Sequence, residues 1–162
     1  MTVKSAFAPI VDGKTRVLVL GSLPGEASLA AGQYYAHPRN QFWPLVGAVL
    51  GMDLSAMPYP QRLSAIRERG IGLWDTIEKA HREGSLDGAI RGADHADLAN
   101  LAASLPQLRA VAFNGRKAWT IGAPQLAGSG LDLLALPSSS PAYAAMPRAE
   151  KEARWMVLRN YL

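Results

Sequence analysis

Cysteine is absent from the 162-residue chain, and histidine is scarce. Without a thiol, the protein can form no disulfide, no cysteine-ligated zinc site, no iron–sulfur cluster and no thiol nucleophile. His37, His81 and His95 are scattered along the sequence without the spacing of metal ligands. We therefore expect a protein that binds no metal ion.

Long apolar runs are lacking as well. No stretch reaches the roughly 18 uninterrupted apolar residues of a membrane helix, and residues 1–16 contain too short an apolar run for a secretory signal. The composition, 49% hydrophobic and 19% charged, suits one compact domain over residues 1–162 that buries a core. We expect a cytoplasmic, single-domain protein with no membrane partner.

Acidic residues are missing from two long segments. None lies between Glu26 and Asp53, and only Asp132 lies between Asp97 and Glu150. The net charge of +4 favours a polyanionic partner, although many small basic domains bind none. If the two segments converge, they form an acid-free surface that a phosphate backbone could approach. Their basic residues are Arg39, Arg109, Arg116, Lys117 and Arg148.

Short apolar runs alternate with helical patterns along the chain. The runs end at glycines or polar loops, as buried strands of a parallel sheet do, and cover residues 16–22, 71–76, 108–115 and 131–141. Helical patterns cover residues 40–51, 58–70, 94–106, 115–124 and 147–161. This alternation predicts an α/β fold, a three-layer α/β/α sandwich with a short four-stranded parallel sheet.

Two segments carry neither pattern. Residues 23–39 are broken by glycine and proline, and we expect irregular structure there. Residues 78–97 are polar and interrupted by glycine, and we expect only loops and short helical turns.

Ligands of parallel sheets bind beyond the carboxyl ends of the strands. The loop after Gly21, the loop at Asn114 and the loop at Ser138 are therefore expected to share one rim. In the first loop, Tyr34 and Tyr35 offer flat faces on which a base could stack, or they are half-buried in a tight turn. Asn40 could cap the following helix, or hold a water or a sugar oxygen.

The other two loops also carry polar side chains. Asn114 could meet a base edge through its amide, or cap a helix in an Asn-Gly turn. Arg116 and Lys117 beside it could touch phosphate, or they are merely solvated. Residues 137–147 form a Ser/Pro loop that suits phosphate contact, with Tyr143 as a wedge for a base stack, or that serves only as a connector.

The order of these motifs resembles the uracil-DNA glycosylase superfamily. The motifs are GSLPGEASL, YYAHPRNQFW, FNG and LPSSSP, spread over about residues 17–146, and the combination is most similar to hypoxanthine-DNA glycosylases. The tract YAHPRNQFW also looks like the mismatch-specific uracil and thymine glycosylases.

The resemblance implies an enzyme that hydrolyses the N-glycosidic bond of deaminated bases in DNA and leaves an abasic site. It implies a flipped nucleotide in a pocket at the strand ends, no metal or organic cofactor, a monomer, and association with the nucleoid when bound to DNA. Hypoxanthine is the expected base, with uracil and xanthine as further candidates. The alternatives are a mismatch-specific uracil or thymine glycosylase and a non-catalytic nucleic-acid-binding module of the same fold.

The resemblance also implies roles for individual residues. Asn40 matches the catalytic asparagine, and Tyr35 matches the aromatic residue that stacks on the flipped base. Ser22, Leu23 and Asn114 are expected to face the base, although Leu23 replaces an Asp or Asn of many relatives and cannot polarise water. Ser138 replaces a His or Asn of several relatives. The expected DNA contacts are Arg39, Arg116, Lys117, Ser138, Ser139, Ser140, Pro141 and Tyr143.

Overall fold

A computed structural model of the chain describes residues 3–5, 7–82 and 90–162. Its strands are β1 (Val3–Ser5), β2 (Val17–Gly21), β3 (Ile71–Asp75), β4 (Ile77–Arg82), β5 (Ile90–His95), β6 (Ala110–Asn114) and β7 (Asp132–Leu136). Its α-helices are α1 (Glu26–Ala31), α2 (Phe42–Leu50), α3 (Tyr59–Glu68), α4 (Leu98–Ala103), α5 (Arg116–Leu126) and α6 (Arg148–Trp155). Short 3₁₀ helices cover Leu54–Ala56 and Met156–Tyr161.

The centre of the fold is a four-stranded parallel sheet in the order β3-β2-β6-β7. Every residue of β2 is buried, because the strand is paired on both edges and covered on both faces. The four strands are those that the sequence predicts, and the α/β class with a short parallel sheet is confirmed.

Helices cover both faces of this sheet. Alternate side chains of β2 enter different clusters, since successive residues of a strand point to opposite faces. Val17 and Val19 pack with residues of α2, α3 and α6, whereas Leu18 and Leu20 pack with residues of α4 and α5. The result is the three-layer arrangement expected from the sequence.

The expectation of loops and short helical turns over residues 78–97 is wrong for the part that the structure describes. There β4 pairs with β1 and β5 in an antiparallel sheet of order β1-β4-β5. Within the segment β4 and β5 pair with each other, and β4 also pairs with β1 near the start of the chain, so tertiary pairing overrides the weak local pattern. Residues 83–89 of that segment lie outside the described residues.

The expectation of irregular structure over residues 23–39 is wrong in part. The segment contains α1, a helix of six residues flanked by Gly25 and Gly32. Gly32 has a φ of 65°, a left-handed conformation that glycine adopts freely and that ends the helix. The glycines that suggest irregularity in the sequence are therefore the boundaries of a helix.

None of the helices in the described part of the chain is long and apolar enough to span a membrane.

We predict that Gly122→Ala destabilises the protein. A β-carbon at this position of α5 would clash with Cε1 of Phe113 and lie 3.1 Å from Cδ1 of Leu98. Overpacking a core costs about 1–3 kcal/mol, against a gain in helix propensity of about 1 kcal/mol. Urea denaturation should show a net loss.

The matched control is Gly13→Ala, because a β-carbon there meets no atom within 4 Å. This change should move the free energy of unfolding by no more than about 0.5 kcal/mol. Equal stability of the Gly122 and Gly13 variants would contradict the close packing of α5 on β6.

Candidate active site

A cavity of about 610 Å³ lies at the carboxyl ends of the parallel strands. Its volume falls in the usual range of small-molecule sites, roughly 300–1,000 Å³. The loops after β2, β6 and β7 all contribute to its wall, as the sequence predicts. Of the thirteen residues to which the resemblance assigns a role, ten line it: Ser22, Leu23, Tyr35, Asn40, Asn114, Ser138, Ser139, Ser140, Pro141 and Tyr143.

Ser139 joins the three parts of the chain that form one wall of the cavity. Its hydroxyl donates to Oδ1 of Asn40 at 2.8 Å and accepts from Nδ2 of Asn114 at 2.9 Å. Its backbone N–H donates to Oδ1 of Asn114 at 2.9 Å, and its carbonyl accepts from the backbone N–H of Gln41. Ser139 is only 1% exposed, so its polar groups serve this network rather than the DNA contact expected from the sequence.

The network fixes which way the Asn40 amide points. Oδ1 of Asn40 accepts from the backbone N–H of Phe42 at 3.0 Å as well as from Ser139. Two donors on one atom identify it as the oxygen. The side chain lines the cavity and bonds to the first residue of α2, but the N-cap of that helix is Gln41 and not Asn40, as considered from the sequence. Its Nδ2 makes no hydrogen bond to any residue that the structure describes.

The side chain of Asn114 is more fully hydrogen-bonded than that of Asn40. Both polar atoms of its side chain are bonded to Ser139, through Nδ2 to the hydroxyl and through Oδ1 from the backbone N–H. A two-bond contact with a base edge, as considered from the sequence, would require these bonds to break. The second hydrogen of Nδ2 is the group that the geometry leaves for a ligand.

The two adjacent tyrosines have different environments. Tyr34 is 3% exposed and its hydroxyl donates to the carbonyl of Ala8 at 2.9 Å, so its ring belongs to the core. Burial above all, and then the charge of Asp75, raise the pKa of Tyr34 above its ordinary value. Tyr35 is half-buried, and one face of its ring stacks on Phe42 at 3.9 Å between centroids. Only the other face of Tyr35 is left for a base.

Asp75 is a cavity residue that the sequence analysis missed. It is the last residue of β3, lines the cavity and is 4% exposed. The signal that identifies it is its place at the carboxyl end of a parallel strand, where polar residues face the ligand. The cavity thus contains a buried carboxyl group, although Leu23 supplies none.

Comparison with known proteins decides the family. The model of the uracil DNA glycosylase superfamily matches residues 8–160. The chain belongs to this superfamily. It is therefore a DNA glycosylase, and its substrate is DNA.

Similar proteins cover nearly the whole glycosylase. A protein of Methanosarcina acetivorans named hypoxanthine DNA glycosylase is 39% identical over 94% of this chain and 96% of its own. One of Methanosarcina barkeri with the same name is 40% identical over 86% of this chain and 87% of its own. A solution NMR structure of a candidate uracil DNA glycosylase from M. acetivorans superposes with a TM-score of 0.89 at 38% identity, covering 99% of both chains.

Three residues expected to meet DNA are close in sequence to residues at the rim of the glycosylase cavity. Arg39, Arg116 and Lys117 are exposed but do not line the cavity itself. Arg116 and Lys117 occupy the first turn of α5, where the helix dipole already favours anions. This part of the surface is therefore suited to phosphate.

Tyr143 is exposed on the same rim and rests on a buried lysine that the sequence analysis did not single out. Nζ of Lys151, in α6, lies 5.2 Å from the centroid of the Tyr143 ring. Lys151 is 1% exposed, and this burial lowers its pKa. The cation beneath the ring holds Tyr143 at the edge of the cavity.

Within residues 3–5, 7–82 and 90–162, no group of three or more histidine, aspartate or glutamate side chains has an arrangement that could hold a metal ion.

We predict that Ser139→Ala destabilises the glycosylase by about 1–3 kcal/mol, because buried groups of Asn40 and Asn114 lose their partner. Ser64→Ala is the control, since the hydroxyl of Ser64 bonds only to a carbonyl on the exposed side of α3. The control should change the free energy of unfolding by no more than about 0.5 kcal/mol. Urea denaturation measures both, and equal values would mean that the network contributes nothing to the wall.

Proposed function

We propose that this glycosylase releases hypoxanthine, the deaminated form of adenine, from DNA. Two relatives that are 39% and 40% identical bear the name hypoxanthine DNA glycosylase. The observation that carries the proposal is the cavity in which the Asn40 oxygen is held by two donors while its amide nitrogen stays available. An amide N–H held in this way suits a reaction that depends on positioning a water molecule and the sugar rather than on forming a covalent intermediate.

The reaction breaks the bond between C1′ of the sugar and N9 of the base. The electron pair of that bond leaves with the base, and the oxygen of a water molecule bonds to C1′. The protons balance when one proton of the water passes to the departing base or to solvent. Positive charge develops on the sugar and negative charge on the base, so hydrogen bonds that favour this charge distribution accelerate the step.

Asn40 is the proposed catalytic residue. Since Oδ1 already accepts two hydrogen bonds, Nδ2 is the atom that donates to the attacking water or to a sugar oxygen. A side chain held in this way loses little freedom when the substrate arrives, and placing the reactants accounts for much of an enzymatic rate. Leu23 cannot polarise water, so the proposed catalysis relies on position and hydrogen bonds.

The base is proposed to lie between Tyr35 and the strand ends. The free face of Tyr35 stacks on it, while Ser22 and the remaining N–H of Asn114 contribute hydrogen bonds. A nucleotide must leave the helix to reach this depth, and a damaged pair costs less to open than a normal one. Selection of deaminated bases begins at that step.

The DNA backbone is proposed to cross the rim. Arg39, Arg116 and Lys117 neutralise phosphates, and the exposed part of the loop over residues 138–143 lies against the strand, with Tyr143 filling the place of the extruded base. The glycosylase is proposed to act as a monomer without a metal or other cofactor.

A panel of duplexes containing deoxyinosine, deoxyuridine or deoxyxanthosine tests the proposed substrate. We expect alkali-labile abasic sites to form fastest with deoxyinosine under single-turnover conditions. A preference for uracil opposite guanine would instead favour a mismatch-specific uracil glycosylase. Folded protein that binds abasic DNA and cleaves none of the duplexes would be a non-catalytic binding module, and the proposal would be wrong.

We predict that Asn40→Ala slows release of hypoxanthine by about 100-fold, because a reactant that is no longer held in place costs a rate factor of this order. Binding of abasic DNA should change little. Asn160→Ala is the matched control, because Asn160 is exposed in the C-terminal 3₁₀ helix, outside the cavity. A wild-type rate in the Asn40 variant would remove this residue from the mechanism.

A further inference from the structure

We propose that Lys151 is a positioning residue for base extrusion, because its ammonium group holds the ring of Tyr143 at the rim from which this ring enters the base stack. The proposal rests on the function proposed above, in which Tyr143 fills the place of the extruded base. Lys151 itself does not line the cavity, so it acts through Tyr143 and not on the nucleotide.

Lys151 is buried without an opposite charge beside it. The residue is 1% exposed, a degree of burial that lysine almost never has unless it is paired. The ion pair that the structure describes in α6 joins Arg154 to Glu150 instead, and burial alone lowers the pKa of Lys151. Removing an ammonium group from water in this way is costly. The group that faces it is the ring of Tyr143, whose centroid lies 5.2 Å from Nζ.

The backbone of Tyr143 is fixed by hydrogen bonds, whereas its ring is not. The backbone N–H of Tyr143 donates to the carbonyl of Ser140 at 3.1 Å, and the hydroxyl of Ser140 accepts from the backbone N–H of Ala142 at 3.2 Å. Among the described residues, the exposed ring of Tyr143 neither stacks on another ring nor uses its hydroxyl in a hydrogen bond. The ammonium group of Lys151 is thus the polar partner that orients the ring.

Helix α6 supports both ends of the loop that carries Tyr143. Lys151 and Trp155 are four residues apart in α6, so they lie on the same side of the helix. Trp155 is fully buried, and its Nε1–H donates to the carbonyl of Pro137 at 3.0 Å, where the loop begins. Lys151 meets Tyr143 farther along the loop. The ring therefore rests on a helix that is itself anchored in the core.

A ring that is held in advance makes extrusion of the base faster. A side chain that must first be ordered loses rotational freedom when it binds, and the contact with Lys151 removes part of this cost before the DNA arrives. The effect belongs to opening of the duplex, because a base in a single strand has no partner to leave. Loss of the ammonium group should therefore slow the reaction of duplex DNA more than that of single strands.

The test compares release of hypoxanthine from a duplex and from the same strand alone, in single-turnover reactions. Lys151→Met removes the charge and keeps a long side chain. We expect it to lower the ratio of the duplex rate to the single-strand rate by about 5-fold, as for loss of one cation–π contact. Lys151→Arg keeps the cation and should keep most of the ratio. A general loss of packing would slow both substrates together and leave the ratio unchanged.

A double-mutant cycle on the duplex rate alone tests whether the effect passes through the ring. Tyr143→Ala should lower the duplex rate, and adding Lys151→Met to it should cause no further loss. Lys14→Met is the matched control, since Lys14 is exposed before the amino end of β2, whereas the cavity lies at the carboxyl ends of the strands. The control should leave the ratio of rates unchanged.

Three results would overturn this inference and leave the proposed function intact. They are an unchanged ratio in Lys151→Met, the same loss in Lys151→Arg as in Lys151→Met, and full additivity of the two changes in the cycle. A wild-type enzyme that releases hypoxanthine from neither substrate would instead overturn the proposed function, and this inference with it.

Discussion

The site depends on the hydroxyl group of Ser139. It bonds to Asn40, 99 residues away in the sequence, and to Asn114, 25 residues away, and so joins loops from three parts of the chain. The group is buried, where an unpaired donor or acceptor costs about 1–3 kcal/mol. Because the polar groups of the three side chains are hydrogen-bonded to one another, one arrangement of the loops is favoured over others. The fixed orientation of the Asn40 amide follows from it.

The parallel sheet makes this convergence possible. Four strands that run the same way end at one edge, and the chain must leave each strand there in a loop. Helices on both faces bury β2 completely. Polar side chains at the edge are therefore close in space, although the intervening helices separate them in sequence. The position of the cavity follows from the sheet topology, and the side chains that line it determine which reaction it can support.

The sequence predicts the rigid parts of this arrangement well because strands buried on both faces leave continuous apolar runs, and β2 and β6 are such strands. The sequence also predicts the cavity wall, because Asn40, Asn114 and Ser139 all lie in loops that leave the same edge of the predicted sheet. It does not predict that these three bond to one another, since hydrogen-bond partners 25 and 99 residues apart leave no local pattern.

Other features of the structure are not predictable from the sequence, for different physical reasons. The antiparallel sheet depends on pairing of β4 with β5 and with the distant β1, and the polar, glycine-interrupted pattern of residues 78–97 indicates neither pairing. Asp75 is a single acidic residue at the end of an apolar strand. An acidic residue in that place more often marks only the end of the strand, so the sequence does not single it out. Lys151 belongs to a helix that is mostly polar, and only the fold shows that its ammonium group lies beneath Tyr143.

The most direct measurement is a crystal structure of the glycosylase with DNA that contains a 2′-fluorinated deoxyinosine, whose glycosidic bond resists hydrolysis. The account predicts an everted hypoxanthine in the cavity, stacked on Tyr35, with Nδ2 of Asn40 within hydrogen-bonding distance of the sugar or of a water beside C1′. A base bound elsewhere, or an Asn40 amide turned away from the nucleotide, would contradict it.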